Sequence, residues 1–419
     1  MRFLYSLLLL LGTPLVLLYL GFRGLKDRAY LQRWDERFGF IKAETVSGGI
    51  VLHAASVGEF NAAKPLIMSL LASFPELPLT ITTLTPTGSE RVKRDLGDRV
   101  SHFYIPLDLA GATTRFLNRL QPQLLIVMET EIWPNLYHAA KQRKIPVVIA
   151  NARLSERSSR RFQRLSGFTR QVLQSVTWIG AQSSEDRERL IQCGANPTST
   201  DLTGNLKFDL SIPAGLNEKG TQIRSAWNAK RPVLVAGSTH EADENVLIPA
   251  FVDLLKTVPN ALLILVPRHP ERFERTAELA KTGGLRTELR SQGESCSEQA
   301  QCFVIDAMGE LMTYYACGDI AYVGGSMGEQ GGHNALEPAA LGKPVLFGPN
   351  MENAKEIAAG LIESNAAFFV TNQEQLRETA KKLLEDGELR DNMGQAGRSL
   401  VEENKGALEL TSVAIRKLL

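Results

Sequence analysis

The sequence predicts an α/β protein in which a transmembrane helix precedes two doubly wound domains, each built on a parallel sheet. Three observations support this fold class. Short apolar or β-branched runs alternate with longer segments of helical spacing, the alternation restarts after residue 210, and the first 22 residues form an apolar stretch of their own. The length of 419 residues agrees, because one hydrophobic core seldom serves so long a chain.

The amino-terminal stretch FLYSLLLLLGTPLVLLYLGF, Phe3 to Phe22, has 20 residues without a charge, about the number that a helix needs to cross a hydrocarbon core. A cleaved signal peptide is the alternative, but its apolar region usually has about 7 to 15 residues and ends in a small-residue cleavage site, which is not found here. Only Arg2 precedes the stretch, whereas several basic residues follow it: Arg23, Lys26, Arg28 and Arg33. By the positive-inside rule, we expect a single-pass anchor over residues 1–22, with the rest of the chain in the cytoplasm.

The composition excludes several functional classes. Lys plus Arg number 47 and Asp plus Glu number 46, so no overall field attracts nucleic acid. The sequence has no CxxC pair, no HExxH motif, no P-loop and no strict GxGxxG, which disfavours metal binding, ATP hydrolysis and NAD chemistry. We therefore expect no cofactor and no metal, and we expect the cysteines to be reduced and buried: Cys193, Cys296, Cys302 and Cys317.

The two predicted domains cover residues 23–210 and 211–419. Strand-like runs in the first are GGIVLHAAS, LTITTLT, QLLIVMETE and PVVIANA, and those in the second are RPVLVAGST, NALLILVPRHP, QCFVID, GDIAYVGGS and KPVLFGP. The segment TGNLKFDLSIPAGLNEKG has four glycines or prolines and little periodicity, so we place the linker there, near Leu210. Ligands of such sheets bind beyond the carboxyl ends of the strands, so we expect a cleft between two facing domains.

In the second domain, YVGGSMGEQGGHNALEP places five glycines between a strand and a helix. Such a loop lets backbone N–H groups approach a ligand closely, and a helix start favours an anion. Asn334 and Glu337 lie three residues apart, where they could hold the hydroxyls of a ribose; capping of the helix by these two side chains is an equal alternative.

Two further loops of the second domain are expected to converge on the same place. VPRHPERF supplies Arg268, whose guanidinium suits a phosphate, with His269 beside it, and DAMGELMTYYACGD supplies Gly309 and Glu310 at a helix start. Together these loops indicate a nucleotide pocket. The hydroxyls of AGSTHEADE, Ser238 and Thr239, are expected to cap the following helix rather than to bind a phosphate.

In the first domain, Glu59 lies in HAASVGEFNAAKPLI, where a loop becomes a helix. A carboxylate in a semi-enclosed cleft can have a pKa near neutrality and act as a general base, although a carboxylate that only complements the helix dipole is the alternative. IVMETEIWPN adds Glu129 and Glu131, of which only one need be functional. Lys207 in GNLKFD could reach the cleft, but the sequence alone favours a solvated linker lysine.

The motifs HAASVGEFNAAKPLI, TTLTPTGSERV, METEIWPNL, IANARLSERS, GNLKFD, PRHPERF, MGEL and GGHNALEP occur in this order. Through them the chain resembles the Kdo transferase family, the 3-deoxy-D-manno-octulosonic acid transferases that glycosylate the lipid A precursor. The resemblance implies a GT-B fold with two Rossmann-like domains facing a cleft, with the acceptor side first and with last helices that can pack back on the first domain. It also implies the donor CMP-Kdo and, as acceptor, the tetraacyl disaccharide 1,4'-bisphosphate in the cell inner membrane.

The resemblance assigns roles to individual residues. Glu59 matches the catalytic base of an inverting transfer, and Glu129 and Lys207 match residues that stabilise the transition state. The positions that match the CMP site are Pro267, Arg268, Met308, Gly309, Glu310, Asn334, Ala335, Leu336 and Glu337, with His269 and Ser326 as neighbours. Phe60 is bulky for the mouth of an acceptor site. A GT-B fold UDP-sugar transferase or epimerase is the alternative function.

Overall fold

The computed structural model describes residues 1–42 and 47–419. Internal contacts divide the chain into two compact units. The first unit comprises Met1–Asp209 together with Asn404–Leu419, and the second comprises Leu210–Glu403. The predicted division assigned all of residues 211–419 to one domain, and the structure differs from it in the last sixteen residues, which return to the first unit.

The first unit is built on a seven-stranded parallel sheet in the order β3-β2-β1-β4-β5-β6-β7. Its strands are β1 Ile50–His53, β2 Leu79–Thr83, β3 Ser101–Tyr104, β4 Leu124–Met128, β5 Val147–Ala152, β6 Trp178–Ala181 and β7 Thr200–Leu202. Its first nine helices are α1 Arg2–Lys26, α2 Trp34–Arg37, α3 Val57–Ser73, α4 Pro86–Leu96, α5 Ala110–Leu120, α6 Pro134–Gln142, α7 Glu156–Arg164, α8 Ser166–Leu173 and α9 Ser184–Gln192.

The second unit has its own seven-stranded parallel sheet, in the order β10-β11-β9-β8-β12-β13-β14. Its strands are β8 Val233–Thr239, β9 Leu262–Pro267, β10 Thr287–Leu289, β11 Cys302–Val304, β12 Ile320–Val323, β13 Val345–Phe347 and β14 Ala367–Phe369. Its helices are α10 Leu216–Ala226, α11 Glu241–Leu254, α12 Phe273–Thr282, α13 Leu311–Cys317, α14 Leu336–Ala340, α15 Lys355–Glu363, α16 Gln373–Glu385 and α17 Gly387–Glu403, and the last helix of the chain is α18 Ala407–Arg416.

The central strands are buried throughout, which explains their continuous apolar sequences. Every residue of β1, β4, β5 and β9 is buried, because helices cover both faces of a parallel sheet. The four cysteines are buried as expected, with no disulfide among them. The two doubly wound sheets and the apolar amino-terminal helix confirm the predicted fold class.

Each sheet has one strand at which the winding direction reverses. In the first unit β1 pairs with both β2 and β4, and in the second unit β8 pairs with both β9 and β12. The loops at the carboxyl ends of such strands diverge and leave a crevice, which is where doubly wound proteins bind ligands. We therefore expect ligands to bind at the loops after β1 and β4 and at those after β8 and β12.

The carboxy-terminal helix α18 belongs to the core of the first unit. Ala407 and Ile415 are fully buried in the cluster that also holds Leu52 and Leu66. The carboxylate of Asp209 accepts hydrogen bonds from the amides of Gly406 and Leu408, which fixes the start of the helix. The predicted boundary left α18 in the second domain, because its ordinary amphipathic pattern does not indicate which sheet it covers, whereas the family resemblance allowed this return.

The amino-terminal helix α1 is long and apolar enough to cross a membrane. It continues four residues beyond the predicted anchor, and most of its leucines are exposed to solvent. Its first turn nevertheless contacts the first unit. The Tyr5 hydroxyl donates to the carboxylate of Asp108 at 2.9 Å, and the Ser6 hydroxyl donates to Asn135 at 3.0 Å.

Candidate active site

Glu59 lies in the first turn of α3, directly after β1, at the reversal point of the first sheet. Ser56 caps the helix, because its hydroxyl oxygen accepts the Glu59 amide at 3.2 Å. The Glu59 carboxylate in turn accepts the amide of Ala55 at 2.8 Å. The carboxylate thus binds the amide before the cap residue and does not complete a capping box, but it helps to hold the start of α3, which is a structural role such as the sequence allowed.

The same carboxylate has the ionisation behaviour of a general base. Burial raises the pKa of Glu59 to about 7; the Ala55 amide opposes this rise, and the negative charges of Glu129 and Glu131 add to it. Because the side chain is only partly buried, a substrate can reach it. A base that titrates near the working pH is poised to take a proton in a transition state.

The loop after β4 brings two more carboxylates to this place. Glu129 has a φ of 53°, in the left-handed region that residues other than glycine seldom adopt. The chain therefore turns sharply as soon as the strand ends. Burial raises the pKa of Glu131, and the charge of Glu129 raises it further. The sequence placed Glu129 and Glu131 on a strand end and required only one of them; both lie beyond the strand, and both act on Glu59.

Lys207 lies on a short 3-10 turn, Leu206–Phe208, that packs against α3. The Asn205 side chain caps this turn by accepting the Lys207 amide at 3.0 Å, and Asn151 accepts the amide of Leu206 at 2.9 Å. The segment is therefore ordered by hydrogen bonds within the first unit. The loop-like composition of GNLKFD indicated a solvated linker, and it gave no signal of these contacts.

Phe60 does not face the mouth of a site. Its side chain is fully buried in the core of the first unit, between the sheet and α3. The expectation that it restricts an acceptor is wrong, because successive residues of a helix point about 100° apart and Glu59 and Phe60 occupy different faces.

In the second unit, Arg268 follows β9 and His269 follows it, as the sequence predicted. The Arg268 amide continues the sheet by donating to the carbonyl of Thr239 at 3.0 Å. The His269 ring lies 5.3 Å from that of His240, and His240 Nε2 lies 2.9 Å from His333 Nε2. Burial, together with the positive charge of Arg268, lowers the pKa of His333 to about 3, so His333 is neutral.

Asn334 and Glu337 are hydrogen-bonded to each other. Asn334 donates to the Glu337 carboxylate at 3.1 Å and accepts the Leu336 amide at 3.1 Å. Because the cap residue of α14 is Ala335, these bonds hold the start of the helix without forming the capping arrangement that the sequence left open. Burial raises the pKa of Glu337, while Asn334 and then Arg268 act against this rise. Asn334 is exposed and Glu337 is partly exposed, so both remain accessible to a ligand.

The remaining candidate positions contribute in different ways. Met308 is exposed, Gly309 has a φ of 87°, and the Glu310 carboxylate is bound by Arg290 at 2.9 Å. The side chains of Ala335 and Leu336 are buried, which leaves only their backbone for a ligand. The helices that begin here, α13 and α14, have seven and five residues, so the favourable field expected at their starts is small.

Three amides of the glycine-rich loop after β12 are already bound by a carboxylate of the protein. The amides of Gly325, Ser326 and Met327 all donate to the carboxylate of Asp243, on the first turn of α11. Ser326 is fully buried, and its hydroxyl accepts the Gly348 amide at 2.8 Å. The expectation that these amides face an anionic ligand is therefore wrong for this part of the loop.

Sequence patterns did not indicate a role for Asp243, and they predicted the wrong cap residue for α11. Ser238 and Thr239 do not cap α11, because both belong to β8, and the cap residue is His240. Asp243 was missed because an acidic residue in a first helical turn is common, and its contacts are with residues about 80 positions later in the chain. Among the residues that the structure describes, no group of three or more His, Cys, Asp and Glu is arranged to hold a metal.

Comparison with known proteins first defines the class. Residues 227–400 match the family described as "Glycosyl transferases group 1". The fold is similar to that of MurG from Acinetobacter baumannii, at a TM-score of 0.56 and 15% identity, covering 88% of this chain and 99% of that one. A UDP-GlcNAc 2-epimerase from Neisseria meningitidis gives a TM-score of 0.56 at 16% identity, covering 88% and 100% of the two chains. The protein has the GT-B fold and is a glycosyltransferase.

The particular family follows from the sequence matches. Residues 32–210 match the family described as "3-Deoxy-D-manno-octulosonic-acid transferase (kdotransferase)". A 3-deoxy-D-manno-octulosonic acid transferase of Haemophilus influenzae is 42% identical, covering 97% of this chain and 96% of that one. One of Bordetella pertussis is 33% identical, covering 99% and 98%. The chain belongs to the Kdo transferase family, which confirms the resemblance.

Proposed function

We propose that this protein transfers Kdo from CMP-Kdo to the lipid A precursor, a tetraacyl disaccharide 1,4'-bisphosphate, with inversion at the anomeric carbon. The observation that carries the proposal is the carboxyl group of Glu59, partly buried beyond the carboxyl end of β1 with its pKa raised to about 7. Family membership gives the transferred sugar. What Glu59 adds is a group that can accept a proton from the attacking hydroxyl.

In the proposed reaction, the acceptor hydroxyl attacks the anomeric carbon while Glu59 takes its proton. The C–O bond to the CMP phosphate breaks on the opposite face, so the configuration inverts. Glycosyl transfer passes through a state with positive charge at the anomeric carbon, which the carboxylate of Glu129 can stabilise. The ammonium group of Lys207 offsets the negative charge that the reacting groups bring.

For CMP, we propose a site formed by the end of β9 with the loop that follows it, the loop after β11, and the start of α14 with the two residues before it. Its residues are Pro267, Arg268, Met308, Gly309, Glu310, Asn334, Ala335, Leu336 and Glu337. The Arg268 guanidinium suits the single phosphate of CMP, and Asn334 with Glu337 presents an amide and a carboxylate to the ribose hydroxyls. The leaving group carries one phosphate rather than a diphosphate, so an arginine and backbone amides can neutralise it.

We further propose that α1 holds the protein in the cell inner membrane as a single-pass anchor, with both units on the cytoplasmic side. The acceptor is itself confined to that membrane, so an anchor keeps enzyme and acceptor together. Of the 18-residue apolar window in α1, only 6% is buried within the protein, which leaves the helix free to contact lipid.

One observation favours a second arrangement of α1, in which the helix lies along the membrane surface. The bonds of Tyr5 to Asp108 and of Ser6 to Asn135 tie its first turn to the first unit. A cysteine introduced at Phe3 decides between the two, because the four native cysteines are buried and react slowly. Labelling of that cysteine by an impermeant maleimide from the periplasmic side supports a crossing helix, and labelling only after lysis supports a surface helix.

The function is tested by incubating the membrane-bound protein with CMP-Kdo and the tetraacyl disaccharide bisphosphate. We expect the product mass to increase by whole Kdo residues, and NMR of the product to show the anomeric configuration opposite to that of the donor. Calorimetry with CMP and UDP checks the nucleotide. A clear preference for UDP, or retention of configuration, would overturn the proposal.

A further inference from the structure

The carboxylate of Asp243, in the first turn of α11, accepts five hydrogen bonds. Its side chain is fully buried, and its two oxygens accept from five donors of three segments. Oδ2 accepts the amides of His240 at 2.9 Å and Gly325 at 2.7 Å. Oδ1 accepts the Tyr322 hydroxyl at 2.8 Å and the amides of Ser326 at 3.2 Å and Met327 at 3.1 Å.

These bonds lie at the reversal point of the second sheet, between the loops after β8 and β12. A crevice of this kind usually receives the ligand. Here three successive amides form an anion-binding concavity, but the anion in it is the side chain of Asp243. The backbones are also in contact, since a Cβ on Gly324 would come within 2.4 Å of the Ser238 carbonyl oxygen.

The loop that Asp243 holds is joined to the proposed CMP residues by further hydrogen bonds. The Gly332 amide donates to the Gly325 carbonyl at 2.7 Å, and the His333 amide donates to the Gly324 carbonyl at 3.2 Å. Asn334 is the next residue. A continuous set of bonds therefore runs from Asp243 through Gly325 to the segment that ends in Glu337.

We propose that Asp243 is a positioning residue for the donor: its carboxylate fixes the glycine loop, and through it the segment of Asn334 and Glu337, in the geometry that binds the nucleotide. Asp243 touches no substrate. The part of this proposal that concerns CMP rests on the proposed function, whereas the part that concerns the loop does not.

Replacement of Asp243 by Asn keeps the size of the side chain but removes the acceptor at one oxygen. If the NH₂ group replaces Oδ2, it faces the N–H groups of His240 and Gly325; if it replaces Oδ1, it faces those of Ser326 and Met327. Backbone amides cannot reverse their polarity, so neither orientation satisfies the site. We expect Asp243→Asn to loosen the loop.

Glu244 provides a matched control. It is the next residue of α11, is equally buried, and accepts from the hydroxyls of Thr239 and Thr276 at 3.0 Å each and from Arg272. These partners lie outside the glycine loop, and hydroxyls can rotate to accept from an NH₂ group. Glu244→Gln thus changes a buried carboxylate to an amide without disturbing residues 324–333.

The first measurement is amide hydrogen exchange in the full-length protein without ligand. We expect residues 324–333 to exchange at least about tenfold faster in Asp243→Asn than in the wild type, and at the wild-type rate in Glu244→Gln. Equal exchange in wild type and Asp243→Asn would overturn the role of Asp243 in holding the loop. This comparison stands even if the nucleotide proves not to be CMP.

The second measurement is CMP affinity by calorimetry, together with steady-state kinetics for CMP-Kdo. We expect Asp243→Asn to weaken CMP binding and raise the donor KM by about tenfold, with kcat within about twofold. A loop that loosens while CMP affinity and donor KM stay unchanged would overturn the link to the donor. Binding of UDP in place of CMP by the wild type would instead count against the proposed function.

If Asp243→Asn does not fold, Tyr322→Phe takes its place. This change removes one donor to Oδ1 and one acceptor of the Ser326 hydroxyl, which retains its bond to the Val323 carbonyl. We expect smaller effects in the same direction, about two- to threefold on exchange of residues 324–333 and on CMP affinity. Unchanged exchange in a folded Tyr322→Phe variant would overturn the proposal.

Discussion

Glu59 is buried enough, and Glu131 is close enough to it, that the pKa of Glu59 rises to about 7. The two residues come from different segments, the helix start after β1 and the loop after β4, which meet because β1 and β4 are neighbours in the sheet. Glu131 thus raises the pKa of the proposed base, although we propose no contact between Glu131 and the substrate.

We predict that kcat/KM falls as the pH is lowered through about 7, because Glu59 must be ionised to accept a proton. Glu131→Gln removes a negative charge that raises the Glu59 pKa, so the acidic limb of the profile should move to lower pH. A pH–rate profile of both proteins measures this. An acidic limb that stays in place in Glu131→Gln would exclude electrostatic influence of Glu131 on the base.

Glu59→Gln is expected to reduce transfer by about 10²- to 10⁴-fold, the usual contribution of a general base, with CMP affinity unchanged. The same change should raise the melting temperature at pH 8. Because the pKa of Glu59 is higher in the folded than in the unfolded state, the folded protein loses stability as the pH rises from the unfolded-state pKa through about 7. Glutamine does not ionise, so the variant avoids this loss. Turnover near the wild-type rate would contradict the assignment of the base.

Asn334→Ala separates a local structural role of Asn334 from nucleotide binding. Loss of the bond to the Leu336 amide should lower the free energy of unfolding by about 1 kcal/mol, the usual contribution of one hydrogen bond. The proposed contact with the ribose adds a loss of CMP affinity of about tenfold, measured by calorimetry. A variant that is destabilised but binds CMP normally would show that Asn334 only holds the start of α14.

Phe60→Ala is predicted to destabilise the protein by about 3 to 5 kcal/mol, because it empties a fully buried position beside the sheet. Chemical denaturation followed by a probe in the first unit measures the loss. In the fraction that remains folded, the affinity for CMP should be that of the wild type. Equal stability of the two proteins would place Phe60 outside the core.

The sequence predicted the central strands well, because strands buried on both faces are continuous apolar runs. It did not predict β3, β6, β7, β10 and β14, which have only three or four residues and, apart from β6, include exposed or partly exposed positions. It placed Glu59, Glu129, Arg268 and Asn334 at strand or helix ends. For Asn334 and Glu337 spacing could not separate capping from binding, since both need the same two side chains.

The contacts that the sequence could not supply are those between distant segments. Nothing near Asp243 indicates that its carboxylate meets amides about 80 residues later. For Lys207, the residues alone indicate a solvated linker lysine, and only the family resemblance assigns it a role in the transition state. The hydrogen bonds that Asn151 and Asn205 accept from its turn depend on the folded sheet, so the sequence could not show them. The hydrophobic pattern fixes which residues are buried, but not which buried polar groups face each other.

The return of α18 to the first unit affects how the chain matures on the ribosome. Ala407 and Ile415 pack around Leu52 and Leu66, which are synthesised much earlier. Until α18 has emerged from the exit tunnel, the apolar side chains that it covers in the first unit stay exposed. Transiently exposed apolar surface of this kind favours aggregation of the nascent chain.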